Sequence, residues 1–527
     1  MTSSTIEPQA HETPHTEASL HRSARRGSAL ALVQTIAGKA TSIAAQLALA
    51  WFLMPADSGL ASIATSINGL LIFFNPLAMS DVLLARRAEF ERDAAAGFWV
   101  SMLLAAVTTL FLLGVAVPFE DWTGKTGLGA VLAVLAFRPI LSALQIVPYT
   151  VLRTGLRFGS LARTSVNVAV GSMLLAVGLG ASGAGPYAIV VPPIAAIAVS
   201  AALYARAARP FPSLAFRLDG ARPLLRQYTD ASLGQYAHTI SLFVDYLTLG
   251  FFATTAEAGY YFLAFNLSIQ INAALAYNIS LALQPVFTHL AHDPPAQLRS
   301  FLRNTTGIGV FTTPICALQG VLAIPIMHLL FPERWWPAAP LVAVLSAGQL
   351  FWFSMGCSAS LLKAQGRFST YSRWQAVQSG LLVPAVVLAA WAGGPWLESR
   401  FDIENGRAMA VAIVISLQVM ISGPIGSWLA VRGCGGRKRD VLILYAQPIG
   451  AALVASAASW PLTLLFGSGR GASFVACAVV TTVFAIIYLL TLRFISRQLY
   501  DAIMNNGRNT IARALGRSVA VPGGPAV

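Results

Sequence analysis

The sequence predicts an all-α polytopic membrane protein of about 14 transmembrane helices, arranged as two parallel six-helix lobes followed by two C-terminal helices. Three observations predict it. Fourteen apolar runs of membrane-spanning length alternate with short loops. Of the 35 Lys and Arg residues, 28 fall in alternate segments, 5 in the opposite loops and 2 inside spans, which is the positive-inside pattern. Finally, segments of the first half recur, in the same order, in the second.

The composition agrees with this reading. A chain of 527 residues that is 56% hydrophobic and 11% charged, with a mean hydropathy of +0.67, cannot be a soluble core wrapped in a polar surface. Lipid must be its solvent. The net charge of +14 is strung along loops expected to face the cytoplasm, where it meets anionic headgroups, so it implies the bilayer as partner and no nucleic acid. Cys316, Cys357, Cys434 and Cys477 have no metal-ligand spacing and read as packing residues; no metal is expected.

Residues 1–27 are rich in Thr, Ser, Glu and His and read as a disordered cytoplasmic tail. The first apolar stretch is too long and too late for a cleaved signal peptide and is expected to stay as span 1. The expected spans are 29–53, 57–80, 95–117, 127–151, 161–181 and 185–206 in the N-terminal lobe (28–206), with a cytoplasmic linker over 207–230. Spans 231–254, 257–287, 305–331, 337–362, 372–393 and 407–431 make the C-terminal lobe (231–432). Spans 440–466 and 472–495 follow within 433–497, and 498–527 reads as a cytoplasmic tail. Each run is about the 20 residues that a 30 Å hydrocarbon core requires, with Gly, Pro or charge at its ends. Arg86, Arg87 and Arg92 follow span 2, and Arg153, Arg157 and Arg163 surround the turn after span 4. The other side carries Asp57, Glu120, Glu257 and Glu333, with Trp51, Trp122, Trp335 and Trp336 as an interfacial belt. Both termini are therefore expected in the cytoplasm.

The repeat rests on three pairs. Pro55-Ala56-Asp57-Ser58-Gly59 resembles Thr255-Ala256-Glu257-Ala258-Gly259, and Pro118-Phe119-Glu120-Asp121-Trp122 resembles Phe331-Pro332-Glu333-Arg334-Trp335. The most specific pair is Leu152-Arg153-Thr154-Gly155-Leu156-Arg157-Phe158 against Leu362-Lys363-Ala364-Gln365-Gly366-Arg367-Phe368. The partners lie six spans apart, so both copies have one orientation in the membrane, and a substrate site between such parallel repeats is expected near the midplane.

Polar residues inside spans are costly and are functional candidates by default. Span 1 places Thr35, Lys39, Ser42 and Gln46 on one helix face, and span 7 places Gln235, His238, Ser241 and Asp245 on another. The repeat predicts that these stripes face each other across the lobe interface. Lys39 and Arg138 lie at mid-membrane depth, where an Arg and a Lys suit an anionic headgroup such as a pyrophosphate; a packing pair such as Lys39 with Asp245 is the competing explanation. His238 titrates near neutrality, so His238 and Asp245 are candidates for coupling or gating. Asn266, Gln270 and Tyr277 form a weaker stripe on span 8, suited to sugar hydroxyls or to interhelical hydrogen bonds. No zinc-ligand pair, nucleophile elbow or Gly-rich phosphate loop is present, so no catalytic residue, cofactor or enzymatic activity is expected.

With these features the chain resembles the polysaccharide transporter (Wzx-like oligosaccharide-lipid flippase) branch of the multidrug/oligosaccharidyl-lipid/polysaccharide exporter superfamily. The carrying residues are Asp57-Ser58-Gly59, Asp245-Tyr246 through Gly250, Glu257-Ala258-Gly259-Tyr260-Tyr261, Gln284-Pro285-Val286-Phe287, Glu333-Arg334-Trp335 with Ala338-Ala339-Pro340, and Gly366-Arg367. The resemblance implies a V-shaped fold that carries a prenyl-pyrophosphate-linked oligosaccharide across the bacterial inner membrane by alternating access, for exopolysaccharide or O-antigen-type biosynthesis. It also implies a cationic cavity, for which Lys39 and Arg138 are the cations on offer and Gln46, Gln235, Asn266 and Gln270 the polar lining. Polysaccharide polymerase or export machinery would be partners, and spans 13 and 14 would form a groove for the prenyl tail. The rival readings are a cation-coupled drug antiporter of the same superfamily and a membrane polysaccharide polymerase or ligase.

Overall fold

A computed structural model describes residues 38, 41, 43–71, 77–86, 89–155, 157–209, 214–216, 221–274, 276–467, 469–497 and 501. Among them every regular element is helical. The N-terminal lobe contains α1 (Ile43–Phe52), α2 (Pro55–Leu70), α3 (Leu77–Ala85), α4 (Phe90–Thr123), α5 (Leu128–Leu135), α6 (Arg138–Thr154), α7 (Phe158–Ala181) and α8 (Tyr187–Ala207). The C-terminal lobe contains α9 (Ala221–Phe252), α10 (Thr255–Ala274), α11 (Ala276–His289), α12 (Pro294–Val321), α13 (Ala323–Leu330), α14 (Ala339–Gln349), α15 (Met355–Ala364), α16 (Phe368–Leu388), α17 (Gly394–Phe401) and α18 (Gly406–Arg432). Two long helices, α19 (Lys438–Thr463) and α20 (Arg470–Ile495), complete the chain. The expected tail 1–27 lies outside the described residues, as does 498–527 apart from Asp501.

Eight helices among the described residues are long and apolar enough to cross a membrane, or ten if each of two bent pairs is one span. The four expected spans outside that number are 29–53, 57–80, 231–254 and 257–287, each of which includes residues or side chains outside the described set. They are occupied by α1, α2 with α3, α9, and α10 with α11. Helices α2, α9 and α10 pack against one another between the lobes, where protein rather than lipid is the neighbour and polar residues or breaks are tolerated.

The repeat is visible in the packing. Helix α5 packs on α2 and α4 as α14 packs on α10 and α12, and α6 packs on α3 and α8 as α15 packs on α11 and α18. The sequence pairs identify the local chemistry. At the α1–α2 turn the Met54 N–H donates to Asp57 Oδ2 (3.0 Å), and Pro55 takes the first helical position, where its missing N–H costs nothing. At the α9–α10 turn the Thr254 N–H and hydroxyl donate to Glu257 Oε2 (2.9 and 3.1 Å). At the opposite end, the Arg157 N–H reaches back to the Leu152 carbonyl and the Arg367 N–H to the Leu362 carbonyl, at 2.9 and 3.0 Å. The two guanidinium groups then cap neighbouring helices, Arg157 at the Ala207 carbonyl and Arg367 at the Leu429 carbonyl, both at 2.9 Å.

The first of these repeats meets its own copy. Helices α2 and α10 cross at Gly59 and Gly259 so closely that a Cβ on Gly59 would lie 1.7 Å from the Thr255 carbonyl oxygen. A Cβ on Gly259 would lie 1.8 Å from the Pro55 carbonyl oxygen. Only glycine permits this approach, and around it Leu60, Ile63, Leu249, Ala258 and Tyr261 form the central core.

The expected linker 207–230 is partly helix, because α9 begins at Ala221. Leu224 and Tyr228, one helical turn apart, are buried against Met79, Leu83 and Phe90 of the N-terminal lobe, and Trp99 Nε1 donates to the Leu214 carbonyl (3.0 Å). The C-terminal pair is docked on the C-terminal lobe. The Tyr445 hydroxyl of α19 contacts Ser354 and lies 3.2 Å from Ser427, and the Tyr488 hydroxyl of α20 donates to the Val310 carbonyl (2.9 Å).

The glycine crossing yields a stability prediction. Gly59→Ala or Gly259→Ala should cost about 1–3 kcal/mol through overpacking. Gly114→Ala, where the new methyl meets open space, should cost nothing. Thermal unfolding of the three purified variants checks this, and equal midpoints for Gly59→Ala and Gly114→Ala would contradict it.

Candidate functional site

Span 4 breaks between Leu135 and Arg138, and its break places one cation inside a cavity. Phe137 precedes α6, Pro139 holds its first turn, and the Thr109 hydroxyl donates to the Ala136 carbonyl freed by the break (2.6 Å). Arg138 lines an open cavity of about 600 Å³ between α1, α6, α7 and α8, with α10 along one side. Gln46, Asn266, Ser165, Ser172 and Ser200 line it as well.

Among the described residues no side chain or carbonyl pairs with the Arg138 guanidinium. Gln46 Nε2 is buried without a hydrogen-bond partner among them, whereas Asn266 Nδ2 donates to the Phe262 carbonyl of its own helix (2.8 Å). The guanidinium, with five N–H groups, and the buried Gln46 amide, with two, have no hydrogen-bond partner among the described residues. The arrangement suits an anion with several acceptor oxygens.

The equivalent place in the other lobe is filled. Asn272 Nδ2 donates to the Gln349 carbonyl at the break of span 10 (3.0 Å), and a Cβ on Gly348 would fall 2.6 Å from Ser416 Cα. Gly348 is the position that the repeat pairs with Arg138, so helix contact replaces the cavity there.

The structure brings together Gln46, Arg138 and Asn266 of the expected site residues. Gln270 is half-buried on α10, engaged with a neighbour, and does not line the cavity. Lys39 lies outside the described residues, as do the side chains of Gln235 and His238. The two polar stripes, where described, do not face each other. Gln46 turns into the N-terminal lobe, while Ser241 Oγ lies 2.7 Å from Ser379 Oγ of α16. Asp245 is buried within the C-terminal lobe, with Oδ2 accepting from the Tyr261 hydroxyl (2.7 Å) and Oδ1 from the Tyr246 N–H (2.9 Å). The cavity is lined mainly by the N-terminal lobe, with Phe262, Leu263, Asn266 and Trp335 contributed by the C-terminal lobe.

Arg334 and Trp335, part of a repeat motif in the sequence, tie the C-terminal lobe to the end of α1 that lines the cavity. Arg334, from the C-terminal lobe, caps α1: Nε donates to the Leu53 carbonyl (3.1 Å), and Nη2 donates to the carbonyls of Ala50 (3.2 Å) and Trp51. Trp335 Nε1 donates to the same Ala50 carbonyl (2.8 Å) and its ring lines the cavity. In the reciprocal contact, Lys125 of the N-terminal lobe donates to the Ala253 carbonyl at the end of α9 (2.7 Å), beside Arg407 on the Phe252 carbonyl. Burial pushes the Lys125 ammonium below its ordinary value, opposed by Glu257 and reinforced by Arg407. The signal was present in the sequence as Arg334 and Trp335 within a repeat motif, but the carbonyls they cap lie some 280 residues away.

Comparisons with known proteins fit this architecture. A family model described as polysaccharide biosynthesis protein matches residues 48–340, more than half of the chain. The succinoglycan biosynthesis transport protein ExoT of Rhizobium meliloti (strain 1021) is 23% identical over 470 residues, covering 86% of this chain and 90% of that protein. The lipopolysaccharide biosynthesis protein WzxC of Escherichia coli (strain K12) is 24% identical over 220 residues, covering 41% and 43%. Among solved structures, the lipid II flippase MurJ in an inward closed conformation superposes with a TM-score of 0.65 at 13% identity, over 90% of this chain and 99% of that one. The fold is thus shared with MurJ.

The cross-lobe caps carry a prediction of their own. Arg334→Gln should lower stability by about 1.5–3 kcal/mol, the range for hydrogen bonds made by a charged group, while Arg400→Gln, at an exposed position, should leave it unchanged. Thermal unfolding of both variants is the measurement, and an unaltered Arg334→Gln midpoint would refute the capping role.

Proposed function

Because the chain belongs to the polysaccharide biosynthesis protein family, we propose that it is a flippase moving a prenyl-pyrophosphate-linked oligosaccharide across the bacterial inner membrane by alternating access. The observation that carries this reading is the unpaired Arg138 guanidinium inside a cavity among membrane-spanning helices. A cation there costs about 2.5–3.5 kcal/mol on insertion scales unless something receives it. Arg stays charged and matches phosphate oxygens in a two-point geometry, so a pyrophosphate is the ligand whose binding repays that cost. Lys39, seven residues before Gln46 in the sequence, is the second cation of the proposal. Arg334 caps α1 at the end of the cavity nearest the α1–α2 turn, and release on that side requires this contact to part.

The orientation belongs to the same proposal. With 28 basic residues in one set of loops and 5 in the other, both termini and the loop holding Arg437, Lys438 and Arg439 face the cytoplasm, and the capped end faces outward. Glycan polymerase or export machinery on the outer face would take the delivered unit.

Two measurements test this function. Arg138→Ala should abolish polymer export in cells at normal membrane abundance, and export at the wild-type level would remove the headgroup assignment. A topology reporter fused at Arg437 should be active only in the cytoplasm, and activity outside the cell would invert the transport direction.

A further inference from the structure

A surface remote from the cavity in sequence gathers charge in an unusual way. Helix α18 ends at Arg432 and α19 begins at Lys438, so these residues close the same end of two apolar helices of spanning length that pack against each other. Trp428 stands one turn back from Arg432 along α18, half-buried against the core that α19 shares. The Arg432 guanidinium carbon lies 5.5 Å from the centre of the Trp428 ring, and Lys438 Nζ lies 5.6 Å from it. A single indole therefore holds two cations, one from each helix.

The two cations repel each other, and no protein anion compensates them. Among the described residues neither makes an ion pair or a hydrogen bond through its charged group, and the Trp428 indole N–H has no acceptor. Asp440, the acid of that turn, accepts from the Arg437 N–H (2.7 Å) and so caps α19. Arg437 and Arg439 add further positive charge on either side of Lys438. What lies behind the charges is apolar. Leu417, Ile421, Trp428 and Arg432 follow one another at spacings of four, seven and four, which is one face of α18, and Leu417 and Ile421 are exposed on it. Lys438 and Leu442 are likewise one turn apart on α19, and Leu442 is exposed. Each helix thus presents an apolar stripe that ends in a cation, with an indole at the boundary.

We infer that Trp428, Arg432 and Lys438 form a binding site for an anionic phospholipid of the leaflet that borders the α18–α19 turn. The two cations and the indole N–H hold its phosphate, and its acyl chains lie along Leu417, Ile421 and Leu442. The pattern selects this occupant. A soluble anion would leave the apolar stripes unused, and a zwitterionic lipid would bring a cation of its own to a place that already has two. An anionic lipid matches both parts, since basic groups at the membrane end of a helix attract negative headgroups while the exposed side chains below them face the hydrocarbon. The site does not depend on the cargo assigned to the cavity; with the orientation proposed above, the leaflet concerned is the cytoplasmic one.

The test is native mass spectrometry of the purified full-length protein in detergent, titrated with dioleoyl phosphatidylglycerol or with dioleoyl phosphatidylcholine. Wild type should hold phosphatidylglycerol more tightly than phosphatidylcholine. Arg432→Ala and Lys438→Ala should each weaken phosphatidylglycerol binding about fivefold, and about twentyfold together, with phosphatidylcholine unaffected. Trp428→Phe, which keeps a ring and removes the N–H, should weaken it less. Arg163→Ala, which removes an exposed cation from another basic loop, and Arg138→Gln in the cavity should leave it as in wild type. Arg432 and Lys438 are exposed, so thermal unfolding without added lipid should return the wild-type midpoint for both single variants, and these carry the test if the double variant misfolds. Undiminished phosphatidylglycerol binding in the single and double variants would overturn the site, and an equal loss in Arg163→Ala would overturn it by assigning the affinity to net charge. Loss in Arg138→Gln alone would place the lipid in the cavity, overturning this site and leaving the flippase reading standing. Displacement of the lipid by equimolar glycerol 1-phosphate would overturn it in favour of a soluble anion. A wild type that holds both lipids alike would overturn it and leave the basic surface to an acidic protein.

Discussion

The contact on which the rest of the structure depends is the crossing of α2 and α10 at Gly59 and Gly259. The backbone of each helix occupies the space where the other would place a Cβ, so neither side chain can be larger than hydrogen. In lipid no hydrophobic force draws helices together, and close backbone approach is the main source of attraction. With the two lobes pinned at this point, Ile63 meets Gly250 and Phe243 meets Gly69 further along the same interface. The reciprocal caps, Arg334 on α1 and Lys125 on the end of α9, lie at the same end of the molecule as the crossing. One pseudo-two-fold relation therefore places the glycine pair, the capping acids Asp57 and Glu257, and the cations that close that end.

The same relation explains why the five basic residues on the minority side of the charge pattern are tolerated. Lys125, Arg334 and Arg407 end on helix C-terminal carbonyls, and Arg470 lies 4.8 Å above the Trp51 ring. Arg400 and Arg470 are the exposed members of this group. The three capping charges are bound to the protein, and their cost is offset by hydrogen bonds that replace hydration.

The lobes share a framework but differ where chemistry is required. Both have a span interrupted at corresponding positions, where the interruption frees backbone groups; in the C-terminal copy it also bends the span by 45°. In the C-terminal lobe Asn272 and the Gly348 contact with Ser416 fill that place, and the hydroxyls of Ser354, Ser427 and Tyr445 tie α19 to it. In the N-terminal lobe Arg138 occupies it and faces open space. The framework rigidifies one copy and opens the other, so a repeated architecture supports one site.

Much of the fold was legible in the sequence because lipid imposes a simple rule: a spanning helix needs about 20 apolar residues, and positive charge stays on one side. The helix positions, the two-lobe repeat and the Leu152-to-Phe158 turn with its copy follow from that rule and from local hydrogen bonding. Three candidate site residues, Gln46, Arg138 and Asn266, were also legible, since polar groups in apolar runs stand out. The sequence did not reveal which way the stripes face. A 3.6-residue period defines a face without saying what it meets, and only packing turned Ser241 and Asp245 toward α16 and α10 while Gln46 faced the cavity. The pairing of Arg334 with carbonyls near Ala50 was equally invisible, because any backbone carbonyl accepts a hydrogen bond and the choice is made by distance in space. By itself the sequence determined the solvent, the helices and their duplication, all of which depend on local composition. Tertiary structure decided which copy keeps a cavity and which cations cap helices, because those outcomes depend on the space left after the two lobes close on Gly59 and Gly259.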